Sequence, residues 1–545
     1  MPMTTAPRRT SRQREIFVLE MKLFVVEKNF WAKEKKLFSK KKNFFLLHIS
    51  LVFLLALTIA SCTSRRQVLP YSSQTWQPPK REFRGAWMQV VNGQYQGMTS
   101  LEQQRRLTEQ LDALQAAGVN AVFFQVRPAA DALYRSHYEP WSHFLTGQQG
   151  KAPDVDWDPL QFMIDACHSR GMELHAWINP YRARVKGMRN TQLNYLHPYT
   201  RHPERFVEYD GLLLFDPGLS ENRDYICLIA SDIVRRYDVD GLHIDDYFYP
   251  YPVAGSEFPD AKTFATYGRG FSSRSAWRRN NVDMLVKQLS AAVHSVKPWV
   301  KFGVSPFGIY HNASGDGVPG SATSGLQNYD DLYADVLLWV KQGWVDYLLP
   351  QLYWEIGNKA ADYATLVDWW AKNAGGRHLY IGQDLERSLR FSDLDRKFML
   401  MYRQPSIQGY CWWYADAVRQ ALPAVQRSSH GNQSLALQPL MPWLDKKAPG
   451  AVKNLVFLET EDGPVLFWEA PSYRNEMNRP VRYVVYRFKK GERVDINDAR
   501  HIAGMTTNTY FSLKPEGGKK NYVYVVTALD RLQNESAAEK VKVTL

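Results

Sequence analysis

The segment Asp240-Gly-Leu-His-Ile-Asp-Asp-Tyr-Phe-Tyr-Pro250 ends an apolar run in two adjacent carboxylates, Asp245 and Asp246, followed by a cluster of aromatic residues. Carboxylates at the end of a buried strand are costly unless they are solvated or face a site that needs charge. The chemistry they suit is glycosidic cleavage. There, one ionised carboxylate stabilises an oxocarbenium-like centre and one protonated carboxyl releases the leaving oxygen. Two more acidic positions close apolar runs: Glu355 ends Pro350-Gln-Leu-Tyr-Trp-Glu355, and Asp384 ends His378-Leu-Tyr-Ile-Gly-Gln-Asp384. Strand side chains alternate, so His243 and Asp245 share one face, while Leu242, Ile244 and Asp246 share the other. Leu242 and Ile244 suit a helix layer, which turns Asp245 towards an interior. The same alternation groups Leu349, Gln351, Tyr353 and Glu355. The expected catalytic pair is therefore Asp245, as nucleophile or base, and Glu355, as general acid. His243 is expected either to orient Asp245 or to touch substrate. The competing structural readings are an Asp245–Arg127 ion pair, a solvated loop at Glu355, and a capping or cation-binding role for Asp246.

These residues need elements to hold them. Eight β-rich apolar runs occur at 83–90, 119–127, 172–179, 240–246, 301–307, 345–355, 378–384 and 407–414. Helix-like patterns fall between most of them, at 101–117, 158–171, 222–237, 276–296, 330–343, 360–374 and 392–402. In the first, Leu101, Leu107, Leu111 and Leu114 form a stripe and Gly118 supplies the stop. Eight strands alternating with helices predict a parallel sheet covered on both sides, closed as a (β/α)8 TIM barrel. No Gly-rich phosphate loop follows the first strand, which argues against an open dinucleotide-binding sheet. After a linker at 431–450, period-two runs from 451 to 545 predict a small all-β sandwich. The expected fold is thus α/β: a barrel over 83–430, then the sandwich.

Function in such barrels lies at the C-terminal ends of the strands. Those ends form a polar, aromatic and acidic rim that also includes Arg182, Ser305 and Trp413. The expected substrate-binding residues are Trp87, Gln125, Arg127, Trp177, Asn179, Tyr181, His243, Asp246, Tyr247, Gln351, Tyr353, Asp384 and Trp412. The chain holds 17 Trp, 30 Tyr and 26 Phe, and flat rings suit both sugar faces and barrel cores. The rim carries no Cys/His metal spacing and no nucleophilic-serine elbow, so neither a metal nor another cofactor is expected.

Of the formal net charge of +13, residues 1–61 carry +8 and the rest +5, with no long basic run. No nucleic-acid partner is therefore expected. The basic leader, the apolar run Phe44–Ala60 and the closing Ile59-Ala-Ser-Cys62 read as a signal peptide ending in a lipidated Cys62, at 1–61, with a polar tether at 62–82. The competing reading is a single transmembrane anchor. The expected location is the bacterial cell envelope, reached through the lipid anchor. Cys167, Cys227 and Cys411 are widely spaced and read as core packing.

Arg84-Gly-Ala-Trp87, Phe124-Gln-Val-Arg-Pro128, His175-Ala-Trp-Ile-Asn-Pro-Tyr181, Gly241-Leu-His-Ile-Asp-Asp-Tyr247 and Pro350-Gln-Leu-Tyr-Trp-Glu355 fall in the order of one known family. Over roughly residues 80–430 the chain resembles the bacterial glycosyl-hydrolase-like lipoproteins, a family long known only as a domain of unknown function. The resemblance implies a TIM barrel, an envelope location and cleavage of a β-linked polysaccharide. Its best substrate is peptidoglycan glycan strands lacking stem peptides. It also agrees with a strand-4 Asp as nucleophile. The C-terminal segment, with Trp468 early and a Tyr-rich strand late, resembles a fibronectin type III module. The alternative function is a non-catalytic glycan-binding lipoprotein.

Overall fold

The structure is a computed structural model and describes residues 77–428, 434–514 and 519–545. The leader and Cys62 lie outside the described residues.

Eight parallel strands close into a barrel: β1 (Phe83–Met88), β2 (Ala121–Arg127), β3 (Glu173–Ile178), β4 (Gly241–Ile244), β5 (Lys301–Val304), β6 (Tyr347–Leu348), β7 (His378–Asp384) and β8 (Ile407–Trp413). Each pairs with its sequence neighbours, and β8 returns to β1 with Gly85 opposite Cys411. Helices form the outer layer. The first, Ser100–Ala116, starts where sequence chemistry says it should: Thr99 and Glu102 cap each other's backbone amides reciprocally. Its buried stripe runs through Gln103, Leu107, Leu111 and Leu114. Leu101, placed on that stripe by sequence, is 76% exposed.

Alternation holds along the strands. Ala86, Val122, Phe124, Leu174, Ala176, Leu242 and Ile244 pack in the large cluster shared with the helices. Phe83, Trp87, Phe123, Trp177, Tyr347, Leu349, Tyr380 and Cys411 fill the interior. The interior can hold so many rings only because glycines face them. A Cβ on Gly303 would lie 2.1 Å from the Tyr347 ring, and one on Gly241 would lie 2.3 Å from the His175 ring.

Two departures from the sequence reading matter for the site. Between β3 and β4 the chain makes a three-stranded antiparallel excursion, Arg182–Arg184, Phe206–Tyr209 and Leu212–Phe215. Strand β6 stops at Leu348 instead of running to 355, and the chain turns at Pro350, where the Leu352 N–H donates to the Pro350 carbonyl at 3.1 Å.

Among the described residues the C-terminal sandwich has seven strands: β9 (Lys453–Thr460), β10 (Gly463–Glu469), β11 (Arg482–Lys489), β12 (Ile502–Thr506), β13 (Tyr510–Ser512), β14 (Asn521–Leu529) and β15 (Glu539–Thr544). They form one sheet of order β9-β10-β13 and one of order β12-β11-β14-β15. Barrel and sandwich lie in one compact unit, Pro78–Leu545. The segment before the sandwich seals the barrel floor. Leu437 pairs with the backbone of Lys80 and Glu82, and Trp443 Nε1 donates to Asp346 at 2.9 Å while its ring meets His378 edge-on. From the sandwich, Gln533 reaches Glu173 inside the floor at 3.0 Å, and Arg531 pairs with Asp238 at 2.7 Å.

Candidate active site

Asp245 sits one residue past the end of β4, 4% exposed. Three groups hold it. Trp177 Nε1 donates to Oδ2 at 3.1 Å, Asn179 Nδ2 reaches both carboxylate oxygens at 3.1 and 3.2 Å, and the Tyr247 N–H donates to Oδ1 at 3.3 Å. Asn179 is fixed in turn, because its Oδ1 accepts the Arg182 N–H at 2.8 Å. Burial raises the Asp245 carboxyl above its ordinary range, while Arg182 and the donated bonds pull it down.

Asp246, next in sequence, is also buried, at 2% exposure. Gln351 Nε2 donates to its Oδ1 at 3.0 Å, and Tyr251 hydroxyl to Oδ2 at 2.5 Å. Burial, reinforced by the neighbouring Asp245 charge, pushes this carboxyl up to about 6. Two adjacent buried carboxyls do not both ionise cheaply. Asp245 has the richer set of donors and the nearby Arg182 cation, so Asp245 ionises first and Asp246 keeps its proton up to about pH 6.

An aromatic wall stands beside them. Trp87, Trp177, Tyr353 and Trp413 belong to one interior cluster; Tyr353 stacks on Trp413 at 5.9 Å, and Trp87 meets both edge-on. On the other side, Tyr247 and Tyr251 stack at 5.4 Å, each more than a third exposed.

The structure gathers Trp87, Trp177, Asn179, Asp245, Asp246, Tyr247, Gln351 and Tyr353 at one end of the barrel. Gln125 is buried nearby, accepting from the Val90 N–H at 3.0 Å. Six expected residues take other places. Arg127 is fully buried in a bidentate pair with Glu139, with a closest contact of 2.7 Å, and also donates to the Asn179 carbonyl; it is neither a substrate contact nor the partner of Asp245. A register shift between Gln125 and Arg127 breaks the alternation there. Tyr181 packs wholly inside the cluster shared with the helices. His243 neither touches Asp245 nor lines the mouth. Trp87 Nε1 donates to its Nε2 at 3.4 Å, and Ser305 and Tyr347 hydroxyls complete its bonding. Burial depresses His243 far below its ordinary range, which keeps it neutral in the core. Asp384 caps the helix Leu385–Arg390 by accepting the Arg387 N–H at 2.8 Å. Trp412 faces the helix layer against Phe398 and Tyr410, and its neighbour Trp413 is the ring that faces inward.

Glu355 is the sixth. With β6 ending at Leu348, alternation no longer governs position 355. Its carboxylate is bound by Arg387 Nε at 2.7 Å and by Asn358 Nδ2 at 2.7 Å. Burial pushes Glu355 up, but these bonds outweigh it and hold the carboxyl below its usual range. A general acid needs the opposite shift. Tyr251, the hydroxyl that holds Asp246, was not picked out by the sequence reading; its one signal was the aromatic run after the paired aspartates.

A concavity of about 900 Å³ lies on the sandwich among Arg487, Lys489, Lys490, Arg500 and Lys520, with Glu492 as the single carboxylate of its lining, so it offers no pair of carboxylates for hydrolysis. The carboxylate chemistry is at the barrel mouth.

The chain is 38% identical over 487 residues to glycosyl hydrolase YngK of Bacillus subtilis (strain 168), covering 84% of this chain and 93% of that protein. It is 39% identical over 356 residues to glycosyl hydrolase DigH of Escherichia coli (strain K12), covering 60% of this chain and 80% of that protein. Among solved structures, the endo-β-1,4-mannanase from Thermotoga petrophila aligns with a TM-score of 0.38 at 12% identity, covering 85% of this chain and 97% of that one. The sequence model of the glycosyl hydrolase-like 10 family matches residues 82–399, across all of β1 to β7, and the chain belongs to that family.

Proposed function

We propose that the chain is an envelope-anchored glycoside hydrolase that cleaves a β-linked polysaccharide, with peptidoglycan glycan strands lacking stem peptides as its substrate. One observation carries the reading: a buried carboxylate, Asp245, is held by Trp177, Asn179 and Tyr247 at the catalytic end of a barrel strand, next to a carboxyl kept protonated to about pH 6. Asp245 acts as nucleophile or base. Asp246 supplies the proton to the leaving oxygen, since its environment holds one where Asp245 does not. The aromatic wall of Trp87, Trp177, Tyr353 and Trp413 positions the sugar rings. Anchoring at Cys62 by lipid places the barrel at the membrane surface. The fibronectin type III-like sandwich serves as a docking base for the barrel.

The test is incubation of the full-length chain in detergent with peptidoglycan before and after amidase removal of stem peptides, with an Asp245→Asn control. New oligosaccharides from the stripped strands alone, absent with the control, are expected. Binding without cleavage would instead establish the glycan-binding alternative.

Glu355 stays in play as a second candidate for the acid because its pair with Arg387 is partly solvated, and such pairs are weak. Aryl glycosides decide between the two carboxyls, because a good leaving group needs no acid. We expect Asp246→Asn to lose roughly a hundredfold or more on glycan and far less on the aryl substrate. Glu355→Gln should lose less than about tenfold on both. If Glu355→Gln shows the leaving-group pattern and Asp246→Asn does not, the proton belongs to Glu355.

A further inference from the structure

A cavity of about 280 Å³ lies between the excursion after β3 and the chain after β4, where its lining begins at Tyr247, two residues on from Asp245. Its walls are Val185, Leu212, Leu214, Phe248 and the Tyr247 ring, and its one charged lining residue is Arg182. Arg182 is 9% exposed. Its Nε donates to the Pro128 carbonyl at 2.9 Å, and its guanidinium lies over the Tyr247 ring at 5.3 Å. Neither terminal nitrogen of Arg182 makes a hydrogen bond within 3.5 Å or an ion pair within 4.0 Å among the described residues. A guanidinium whose fork has no protein acceptor and lines an apolar cavity can receive a planar anion, alongside the Asp245 carboxylate on which its charge already acts. Asn179 ties this receptor to the reacting group. Its Oδ1 accepts from the Arg182 backbone, and its Nδ2 holds Asp245.

We propose that Arg182 and this cavity form a subsite for a carboxylate carried on the glycan, on the ring next to the bond that is cut. The proposal rests on reading the barrel mouth as a glycosidase site. The apolar walls suit a carboxylate on a short aliphatic arm, as in the lactyl ether of a muramic-type sugar. Removal of a stem peptide turns that arm from an amide into a free acid. The subsite would therefore select stripped strands by charge, and an intact peptide would present a neutral amide to the unpaired guanidinium. A uronic acid carries the same chemistry directly on the ring.

The test uses the full-length chain in detergent and two substrates: stripped glycan strands, and the same strands with their carboxyls converted to methylamides. Wild type is expected to favour the free acid by about tenfold or more in kcat/KM, the range of a charge-assisted hydrogen bond. Arg182→Gln should bring that ratio close to one, and Arg182→Lys should retain part of it. A wild-type ratio near one, or an undiminished ratio in Arg182→Gln, overturns the subsite. If wild type cleaves neither glycan, the hydrolase reading fails on its own, and calorimetry then decides the subsite. N-acetylmuramic acid and glucuronic acid are titrated into wild type and Arg182→Gln, with the methylamide of the first as the neutral control. Acid-selective binding lost in the variant upholds the subsite, and no acid preference overturns it. Stronger binding of muramic acid assigns the lactyl arm, and stronger binding of glucuronic acid assigns a uronate.

Discussion

Asp245→Asn is expected to lower hydrolysis of the glycan roughly a thousandfold or more while making the protein harder to unfold at neutral pH. The two effects have one origin. The carboxylate is buried at 4% exposure, and its ordinary range is raised because the folded protein disfavours the charge. A carboxyl raised on folding contributes stability that is complete below its unfolded value and is lost as pH rises through its folded value. Above that value the native state carries a charge it would be more stable without. Asn is isosteric and removes the charge. It still accepts from Trp177, but its amide group meets the donors of Asn179 or Tyr247, which offsets part of the gain. Asp246 follows the same sign: stability falls between about pH 4 and about pH 6, by something on the order of 3 kcal/mol. Thermal unfolding of wild type and Asp245→Asn at pH 4 and pH 7.5, beside the glycan assay, checks both halves. Equal loss of activity and stability in the variant would mean that Asp245 only holds the mouth together.

The barrel was legible because strands buried on both faces leave long β-rich runs, and because the runs are punctuated by helices with their own caps, such as Thr99 and Glu102. Asp245 was legible for the same reason: Leu242 and Ile244 fix the parity of β4, and Asp245 follows it. Parity failed wherever the strand itself failed. The β2 irregularity before Arg127 turned that side chain to Glu139, and the early end of β6 released Glu355 to Arg387. Along β8, Trp412 and Trp413 are indistinguishable by composition. Only the register, with Gly409 and Cys411 inward, selects Trp413 for the interior.

Other features depend on partners distant in sequence, which no local pattern reports. The excursion between β3 and β4 is built from short strands of three and four residues, too brief to show a period, yet it supplies the wall of the Arg182 cavity. Tyr251 becomes a site residue only because the turn after β4 folds it back onto Asp246. The segment 431–450 reads as a linker, and the packing of its residues Gln438 and Trp443 under the barrel is set by Asn120, Asp346 and His378, each contributed by a different part of the chain.

That floor carries the largest expected stability effect. Lys301→Met should destabilise the folded protein by about 3–5 kcal/mol at pH 7.5. Lys301 Nζ lies 2.5 Å from both Glu173 oxygens, and the two side chains are 3% and 0% exposed. Burial works to raise Glu173, and Lys301 together with the His175 hydrogen bond outweighs it and holds the carboxyl below its ordinary range. Met fills the space of the lysine stem but leaves a carboxylate in the barrel with only the His175 ring at 3.2 Å and the Gln533 amide at 3.0 Å. The loss should shrink towards pH 5, where Glu173 can take up a proton to escape the uncompensated charge. Adding Glu173→Gln should recover most of it, because an amide needs no cation. Gln533 comes from the loop after β14, so the same pair joins the sandwich to the barrel. Denaturant unfolding followed by far-ultraviolet circular dichroism should therefore show one shared transition in wild type. In Lys301→Met it should move as a whole. A split transition, with the sandwich melting at its wild-type midpoint, would mean that the floor contact is incidental and each unit stands on its own core.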